Sequence, residues 1–176
     1  MNTQLTEEEM IRLWELHTDL EFSTRDPVAT VATMSPGNYV NHVPVMTGGR
    51  GPAEMVDFYG KHFIPKMPAD TSLRLLARTV GCDRLVDEFV FSFTHDIEMD
   101  WMLPGVKPTG RKVEIPMVVV VAFEGDKIAC ERIYWDQASV LVQIGLLDAA
   151  LLPITGVEQA RKFEDPQLPS NELMAR

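Results

Sequence analysis

The sequence predicts an α+β domain in which N-terminal helices cover one face of a curved antiparallel sheet. Three observations support this fold class. The first sixty residues show helical spacing with helix caps, residues 72–135 contain long segments that alternate every second residue, and tight turns separate those segments. A group of helices followed by a meander of strands is typical of α+β architecture.

The N-terminal segment predicts two helices. Thr6 and Glu9 have the spacing of a capping box, and the apolar stripe behind them predicts an amphipathic helix that ends near Ser23. Asp26 followed by Pro27 predicts the cap and first residue of a shorter helix, which stops before Ser35.

The next segment is predicted to be extended and then helical. Residues 38–46 contain Pro44 and β-branched side chains, which disfavour a helix. The glycines of residues 48–51 predict a loop, and Pro52 begins a third helix that runs to about His62. A phosphate-binding loop would need a lysine and a hydroxyl that this segment lacks.

The second half of the chain predicts four strands and a closing helix. The turns lie at residues 81–83 and 124–127, a proline- and glycine-rich loop covers residues 103–110, and Asp136 caps the helix. The predicted strands are residues 72–80, 84–101, 111–123 and 128–135.

Residues 89–101 suggest the location of a pocket. Their odd-numbered side chains are aromatic or apolar apart from His95, whereas the even-numbered side chains include three carboxylates. This period belongs to a half-buried strand. One interpretation of His95 is a hydrogen-bonded core histidine; the other is a proton-transferring group on the wall of an apolar pocket.

A symmetric hairpin register defines which side chains would meet. A two-residue turn at Gly125 and Asp126 pairs Phe123 with Ile128; the later pairs are Val120 with Glu131, Val118 with Ile133, and Pro116 with Trp135. The same symmetry in the preceding loop places His95 beside Val118 and Met99 beside Glu114. His95 and Glu131 would then lie on the order of 10 Å apart, too far for a direct relay.

The acidic residues of this face have two interpretations. A carboxylate buried in an apolar pocket would suit proton transfer near neutrality. Alternatively, Glu114 and Glu131 are rim residues paired with Arg111 or Arg132. We expect His42 and Asp100 near the cavity mouth and Trp101, Tyr134 and Trp135 in its wall.

Composition excludes several functional classes. A formal net charge of −10 argues against binding nucleic acid or an anionic membrane surface. The longest apolar run, residues 115–123, is too short to cross a bilayer. Cys82 and Cys130 lack metal-binding spacing and predict free thiols in the cytoplasm. Neither an HExxH motif nor a serine nucleophile elbow is present, so we expect no metal site and no serine hydrolase.

The chain has the length of one domain. We expect a single domain over residues 1–155 and a polar, proline-bearing C-terminal tail over residues 156–176.

Several short motifs together resemble the SnoaL-like polyketide cyclase family of the NTF2-like superfamily. They are Thr94-His95, Pro108-Thr109-Gly110-Arg111, the turn at residues 125–128, and Gln143-Ile144-Gly145. The resemblance implies a cone-shaped α+β barrel, a homodimer, and activity without a cofactor. It carries the family's cavity histidine over to His95 and its acid to Glu114, where the family pattern has an aspartate.

These observations predict a cofactor-independent acid/base enzyme for a small apolar carbonyl or lactone-like substrate. Glu114 would remove or relay a proton, and His95 would polarise or protonate the developing enolate oxygen. The substrate-binding residues would be His42, Asp100, Trp101, Glu131, Tyr134 and Trp135. The alternatives are a small-molecule carrier, a dimeric scaffold, or a protein-interaction module using the acidic face of residues 96–100.

Overall fold

The computed structural model describes residues 4–175 of the chain. Its strands are β1 (Met34–His42), β2 (Thr47–Arg50), β3 (Ser72–Val80), β4 (Arg84–Thr94), β5 (Lys112–Glu124) and β6 (Lys127–Trp135). Its α-helices are α1 (Glu7–Asp19), α2 (Pro27–Ala32), α3 (Gly51–Asp57), α4 (Gln137–Gln143) and α5 (Glu158–Glu164). Two π-helical turns extend α1 and α3 over Leu20–Thr24 and Phe58–Phe63, and single 3-10 turns cover Ile64–Lys66, Ala149–Leu151 and Glu172–Ala175.

The predicted helix starts are confirmed by their caps. The Thr6 hydroxyl accepts a hydrogen bond from the Glu9 amide, and the Glu9 carboxylate accepts one from the Thr6 amide. The Asp26 carboxylate accepts from the amides of Val28 and Ala29 at the start of α2. These bonds satisfy amide groups that would otherwise lack partners at a helix N-terminus.

The six strands form one sheet in the order β2-β1-β6-β5-β4-β3. Every pair is antiparallel except β1 with β6, which is parallel. The α+β class and the sheet with covering helices are therefore confirmed. The predicted loop at residues 48–51 is wrong, because β2 pairs with β1 there. Gly48 permits this hairpin, since a Cβ at that position would lie 2.0 Å from the carbonyl oxygen of Val40.

The predicted register of the β5–β6 hairpin is wrong beyond its first pair. Phe123 does face Ile128, but the next pair is Ala122 with Cys130, so Ala129 is an extra, bulged residue. The prediction paired Glu131 with Val120, Ile133 with Val118 and Trp135 with Pro116. In the structure their partners are Val121, Val119 and Met117, respectively. The bulge shifts the register by one residue. The odd-numbered β5 side chains, not the even-numbered ones, therefore share a face with Glu131, Ile133 and Trp135.

The predicted extension of β4 to Trp101 is also wrong, because the strand ends at Thr94. Instead, the His95 amide donates to the Arg111 carbonyl, and the His95 carbonyl accepts from the amides of Thr109 and Gly110. The chain then folds back over the end of the sheet. His95 therefore does not lie beside Val118, nor Met99 beside Glu114; their observed strand partners are Glu88 for Val118 and Ser92 for Glu114.

The core lies between the helices and the concave face of the sheet. The loop after His95 contributes to it, since Met99, Trp101, Met102 and Leu103 are all buried. This burial explains why residues 89–101 look like one long half-buried strand in the sequence. No helix among residues 4–175 has both the length and the apolar character needed to cross a membrane.

The C-terminal segment packs against α4 and its N-cap through polar contacts. The Ser139 hydroxyl donates to the Gly156 carbonyl at 2.9 Å, and the Gln159 amide donates to the Asp136 carboxylate at 2.5 Å. Ala160 of α5 is buried.

Candidate functional site

A cavity of about 440 Å³ lies between α1, the two π-helical turns and the concave face of the sheet. Its wall is mainly aromatic and aliphatic, with a few buried polar groups. The aromatic lining residues are Trp14, Phe22, Tyr59, Phe63, Phe89, Phe91 and Trp101. Such a wall matches the pattern of small-molecule sites, in which apolar surface surrounds a few polar groups.

The polar centre of this wall is a group of four buried side chains, called here the His17 cluster: His17, Glu21, Tyr59 and Glu131. Nε2 of His17 lies 3.2 Å from Oε1 of Glu21 and 3.0 Å from Oε1 of Glu131. The Tyr59 hydroxyl lies 3.2 Å from the same Nε2 and donates to Oε1 of Glu131 at 3.2 Å. Glu21, Tyr59 and Glu131 line the cavity.

Hydrogen bonds fix the imidazole of His17. The Thr33 hydroxyl donates to the Thr30 carbonyl at 2.6 Å, so it accepts from Nδ1–H of His17, also at 2.6 Å. Nε2 therefore faces the two carboxylates. Since the Tyr59 hydroxyl gives its proton to Glu131, its oxygen is an acceptor toward Nε2.

The electrostatics of the His17 cluster favour a shared proton. Burial disfavours the imidazolium, but the Glu131 and Glu21 carboxylates outweigh burial and raise the pKa of His17 to about 10. Burial raises the pKa of Glu21 above its ordinary value, although His17 opposes this effect. Burial, followed by the two carboxylates, raises the pKa of Tyr59 well above 10. Two carboxylates and one imidazolium thus leave one negative charge in an apolar wall.

The π-helical turns position this chemistry. His17 and Glu21 are four residues apart and lie on the same face of the helix. The turn over Leu20–Thr24 also brings Phe22 and Ser23 to the cavity, and the turn over Phe58–Phe63 presents Tyr59 and Phe63. The rings of Phe22 and Phe63 meet edge to face at 6.0 Å, and Arg25 donates to the Ile64 carbonyl, so the two turns hold each other. Single π-helical turns occur frequently at functional sites.

His42 is the second buried imidazole of the cavity. Its ring packs among aromatic rings, with centroids 5.0 Å from Trp101, 5.6 Å from Phe58 and Phe63, and 5.8 Å from Trp135. Burial lowers the pKa of His42 to about 4, despite the opposing field of Glu131. The imidazole is therefore neutral at pH 7. Its Nδ1 bonds the Thr47 carbonyl at 3.3 Å, which leaves Nε2 as the acceptor.

A second polar group closes the cavity beside α1. The Arg78 guanidinium donates to both oxygens of Asp87, at 2.7 and 2.9 Å, and Trp14 Nε1 donates to Asp87 at 2.8 Å. Arg78 also reaches Glu15 at 2.9 Å. These bonds compensate the buried carboxylate of Asp87.

The structure brings several of the predicted residues to this cavity. His42, Trp101 and Glu131 line it, and Trp135 contacts the rings of His42 and Trp101. The interpretation of Glu131 as a rim residue paired with Arg132 does not hold, because Glu131 is buried beside His17.

Both residues of the predicted catalytic pair lie elsewhere. His95 is buried at the end of β4, with Nδ1 at 3.2 Å from the Thr109 hydroxyl, and it does not border the cavity. Glu114 pairs with Lys112 at 2.9 Å in a polar groove beside the C-terminal segment. The reason is the corrected geometry, because β4 ends before His95 and the even-numbered side chains of β5 face away from the cavity.

The two remaining predicted residues also lie outside the cavity. Asp100 pairs with the Nδ1 atom of His62 at 2.7 Å, and both side chains are partly exposed. Tyr134 is 42% exposed, since it alternates with the cavity-facing Ile133.

Sequence reasoning missed His17, Glu21 and Tyr59. The available signal was the spacing of a histidine and a glutamate, four residues apart, on the apolar stripe of α1. A glutamate on a buried stripe requires a partner, which is a reason to search for one. Nothing local pointed to Tyr59 or Glu131 as that partner, because they come from distant elements.

The His17 cluster also contains possible metal ligands. One atom each from His17, Glu21 and Glu131 lies within 4.8 Å of the other two. The set is assembled from α1, the following turn and β6, and it has no sequence motif.

The model of the SnoaL-like domain matches residues 15–131, which is more than half of the chain. The chain belongs to the SnoaL-like family. The matched region holds all four members of the His17 cluster as well as His42. No match was found among curated proteins.

Solved structures show that this SnoaL-like chain has the NTF2-like fold. TsrD from Streptomyces laurentii is 20% identical with a TM-score of 0.64 over 82% of this chain and 100% of that one. A protein classed as a SnoaL-like polyketide cyclase from Jannaschia sp. CCS1 is 18% identical, with a TM-score of 0.60 over 83% and 100%. An NTF2-like protein of unknown function from Burkholderia pseudomallei K96243 is 17% identical, with a TM-score of 0.60 over 78% and 98%.

Proposed function

We propose that this SnoaL-like protein is a cofactor-independent acid/base enzyme for a small, mostly apolar molecule with a carbonyl or lactone-like group. The observation that carries the proposal is the His17 cluster, in which two carboxylates, a phenol and an imidazole meet on the wall of an apolar cavity. Proton donors and acceptors held together away from bulk water are what proton transfer to and from carbon requires.

The geometry assigns different roles from those predicted at His95 and Glu114. Glu131, a cavity-lining carboxylate, would take the proton from the carbon next to the carbonyl. The Tyr59 hydroxyl, whose raised pKa keeps its proton in place, would donate a hydrogen bond to the carbonyl oxygen as it gains charge. The electron pair of the broken C–H bond becomes the enolate, and the same groups return the proton in the second half of the reaction.

The cavity wall explains the substrate class. Trp101, Phe63 and the phenylalanines of β4 offer apolar area, while the polar groups are concentrated at the His17 cluster and His42. A mostly apolar molecule with one or two oxygen functions fits this distribution. Aldol closure, isomerisation, dehydration of a β-hydroxy carbonyl compound and ring opening by elimination can all begin with this proton removal. The SnoaL-like neighbour from Jannaschia is classed as a polyketide cyclase.

An experiment that does not require the natural substrate tests this function. Small cyclic ketones and lactones are incubated with the protein in deuterium oxide, and nuclear magnetic resonance follows exchange at the carbon beside the carbonyl. The proposal expects faster exchange with the wild type and a loss of about a hundredfold or more in Glu131→Gln. The matched control is Glu114→Gln, which makes the same change outside the cavity and should leave exchange unchanged.

Two results would contradict the proposal. One is equal exchange by the wild type and Glu131→Gln with ligands that a thermal-shift screen shows to be bound. The other is loss of exchange in Glu114→Gln alone, which would return the catalytic role to the residue predicted from the sequence.

A non-catalytic small-molecule-binding protein is the second candidate. The observation that favours it is that the atoms of the His17 cluster already bond one another, as in a static polar core. This candidate expects ligands that stabilise the protein without any exchange. We also propose that the protein works in the cytoplasm, as its free cysteines suggest, and as a homodimer, as the family resemblance implies. Sedimentation equilibrium would measure its mass in solution.

A further inference from the structure

The geometry points to a binding site for one divalent transition-metal ion, formed by Nε2 of His17 and one carboxylate oxygen each of Glu21 and Glu131. The ion would compete with the proton that these groups share. The inference uses the same cluster as the proposed function but a different property of it, the spacing of ligand atoms.

The spacing of the atoms supports coordination. Nε2 of His17 lies 3.2 Å from Glu21 and 3.0 Å from Glu131. Nitrogen and oxygen ligands lie about 2.1 Å from ions such as zinc, so two ligands are roughly 3.4 Å apart in a tetrahedral site and roughly 3.0 Å apart in an octahedral one. The two carboxylate oxygens lie within 4.8 Å of each other. These separations are compatible with coordination of one ion by all three atoms.

The surroundings of His17 match those of metal-binding histidines. Such a histidine donates its second ring N–H to a neighbouring acceptor, which fixes the orientation of the ring. Here Nδ1–H bonds the Thr33 hydroxyl, which in turn bonds the Thr30 carbonyl. The Tyr59 oxygen, 3.2 Å from both Nε2 and Glu131, lies close enough to be a further oxygen neighbour.

The charge balance also favours a divalent ion. Two carboxylates with a neutral imidazole form a donor set of charge −2, which one divalent cation neutralises in the apolar wall. Neutral imidazole with carboxylate ligands is a donor set suited to zinc, manganese and iron. The site opens to the cavity, since Glu21 and Glu131 both line it, so water can complete the coordination.

Metal binding would oppose the proposed reaction. The ion occupies the atoms that would otherwise transfer the proton, and its binding releases the proton of Nε2. The metal-loaded protein is therefore expected to lose the exchange activity of the metal-free protein.

Isothermal titration calorimetry with zinc chloride tests the inference on the full chain after removal of metal with EDTA. The background variant Cys82→Ser removes an exposed thiol that could bind zinc by itself. We expect one equivalent of zinc to bind with micromolar or tighter affinity and to release protons, which titrations in two buffers measure. Glu21→Gln and Glu131→Gln should each weaken binding tenfold or more.

Two further variants keep the test decisive. His62→Gln removes an exposed histidine beside a carboxylate, the other plausible zinc ligand, and should not change the affinity. Thr33→Val removes the acceptor of the His17 Nδ1–H but replaces no metal ligand, and it should weaken binding tenfold or more. This variant keeps the inference testable even if a glutamate variant fails to fold.

Absence of zinc binding, or binding that survives both glutamate variants, would overturn the inference. Loss of binding in His62→Gln would overturn it as well. The exchange experiment of the proposed function is run with EDTA present, so that its outcome does not depend on bound metal. Exchange without zinc binding would refute the metal site alone, and zinc binding without exchange would refute the proposed enzyme activity alone.

Discussion

Acidification is expected to destabilise the fold through His42. Burial among aromatic rings lowers the pKa of this imidazole from 6.5 to about 4. The unfolded chain therefore takes up a proton below pH 6.5, whereas the folded chain resists it until near pH 4. The stability that neutral His42 contributes is therefore complete above pH 6.5, the pKa in the unfolded chain. It is lost as the pH falls to about 4, the pKa in the folded chain.

The expected loss is about 2.5 kcal/mol between pH 7 and pH 4.5, since the folded chain resists protonation over two pH units below 6.5 and each unit corresponds to about 1.4 kcal/mol. Other acidic groups titrate in the same range, and Glu21, whose pKa is raised, acts in the opposite direction because its proton favours the folded state. The informative quantity is therefore the difference between the wild type and a variant without the buried imidazole.

Urea denaturation at several pH values measures this difference. His42→Gln should unfold more easily than the wild type at pH 7 but should lack its part of the acid-induced loss. His62→Gln is the matched control, because the same change is made on a partly exposed imidazole and should leave the slope as it is. If His42→Gln keeps the wild-type dependence of stability on pH, His42 is not held neutral by burial and this reasoning fails.

Two further predictions concern stability and use matched pairs. Asp87→Asn should lower the free energy of unfolding by about 2 kcal/mol, because it weakens a buried carboxylate–guanidinium pair, while Asp83→Asn changes an exposed pair and should have no measurable effect in urea denaturation. Gly48→Ala should lower the melting temperature more than Gly105→Ala. Both glycines have positive φ, but only at Gly48 would the new Cβ meet a backbone oxygen. Equal losses of melting temperature would contradict the described β1–β2 hairpin.

Much of the fold was predictable from local signals. The capping box at Thr6, the Asp26–Pro27 start and the turn at Gly125 each depend on a few neighbouring residues, and all three appear where the sequence predicts them. The parallel pairing of β1 with β6 has no local signal, because it joins residues almost a hundred positions apart. The end of β4 was misplaced because burial by a folded-back loop imitates strand alternation.

The candidate site was less predictable than the fold. Three of the expected residues reached the cavity wall, since aromatic and buried positions are marked by the sequence. The catalytic pair did not, because β4 ends before His95 and because the bulged residue in β6 sets the even-numbered β5 side chains, including Glu114, on the face away from the cavity. The partners of Glu131 come from α1 and from the turn after α3, and only the folded arrangement of those helices shows that they meet.

The bulge at Ala129 has a consequence for the sign of the charge inside the protein. Along β6, Glu131 and Arg132 are neighbours, and alternation sends only one of them inward. With the extra residue, the carboxylate turns toward the helices and the guanidinium toward the opposite side. If Ala129 paired with Ala122 instead of bulging out, Arg132 would lie opposite the cavity-lining Val119, and the same helices would then surround a hollow suited to anions.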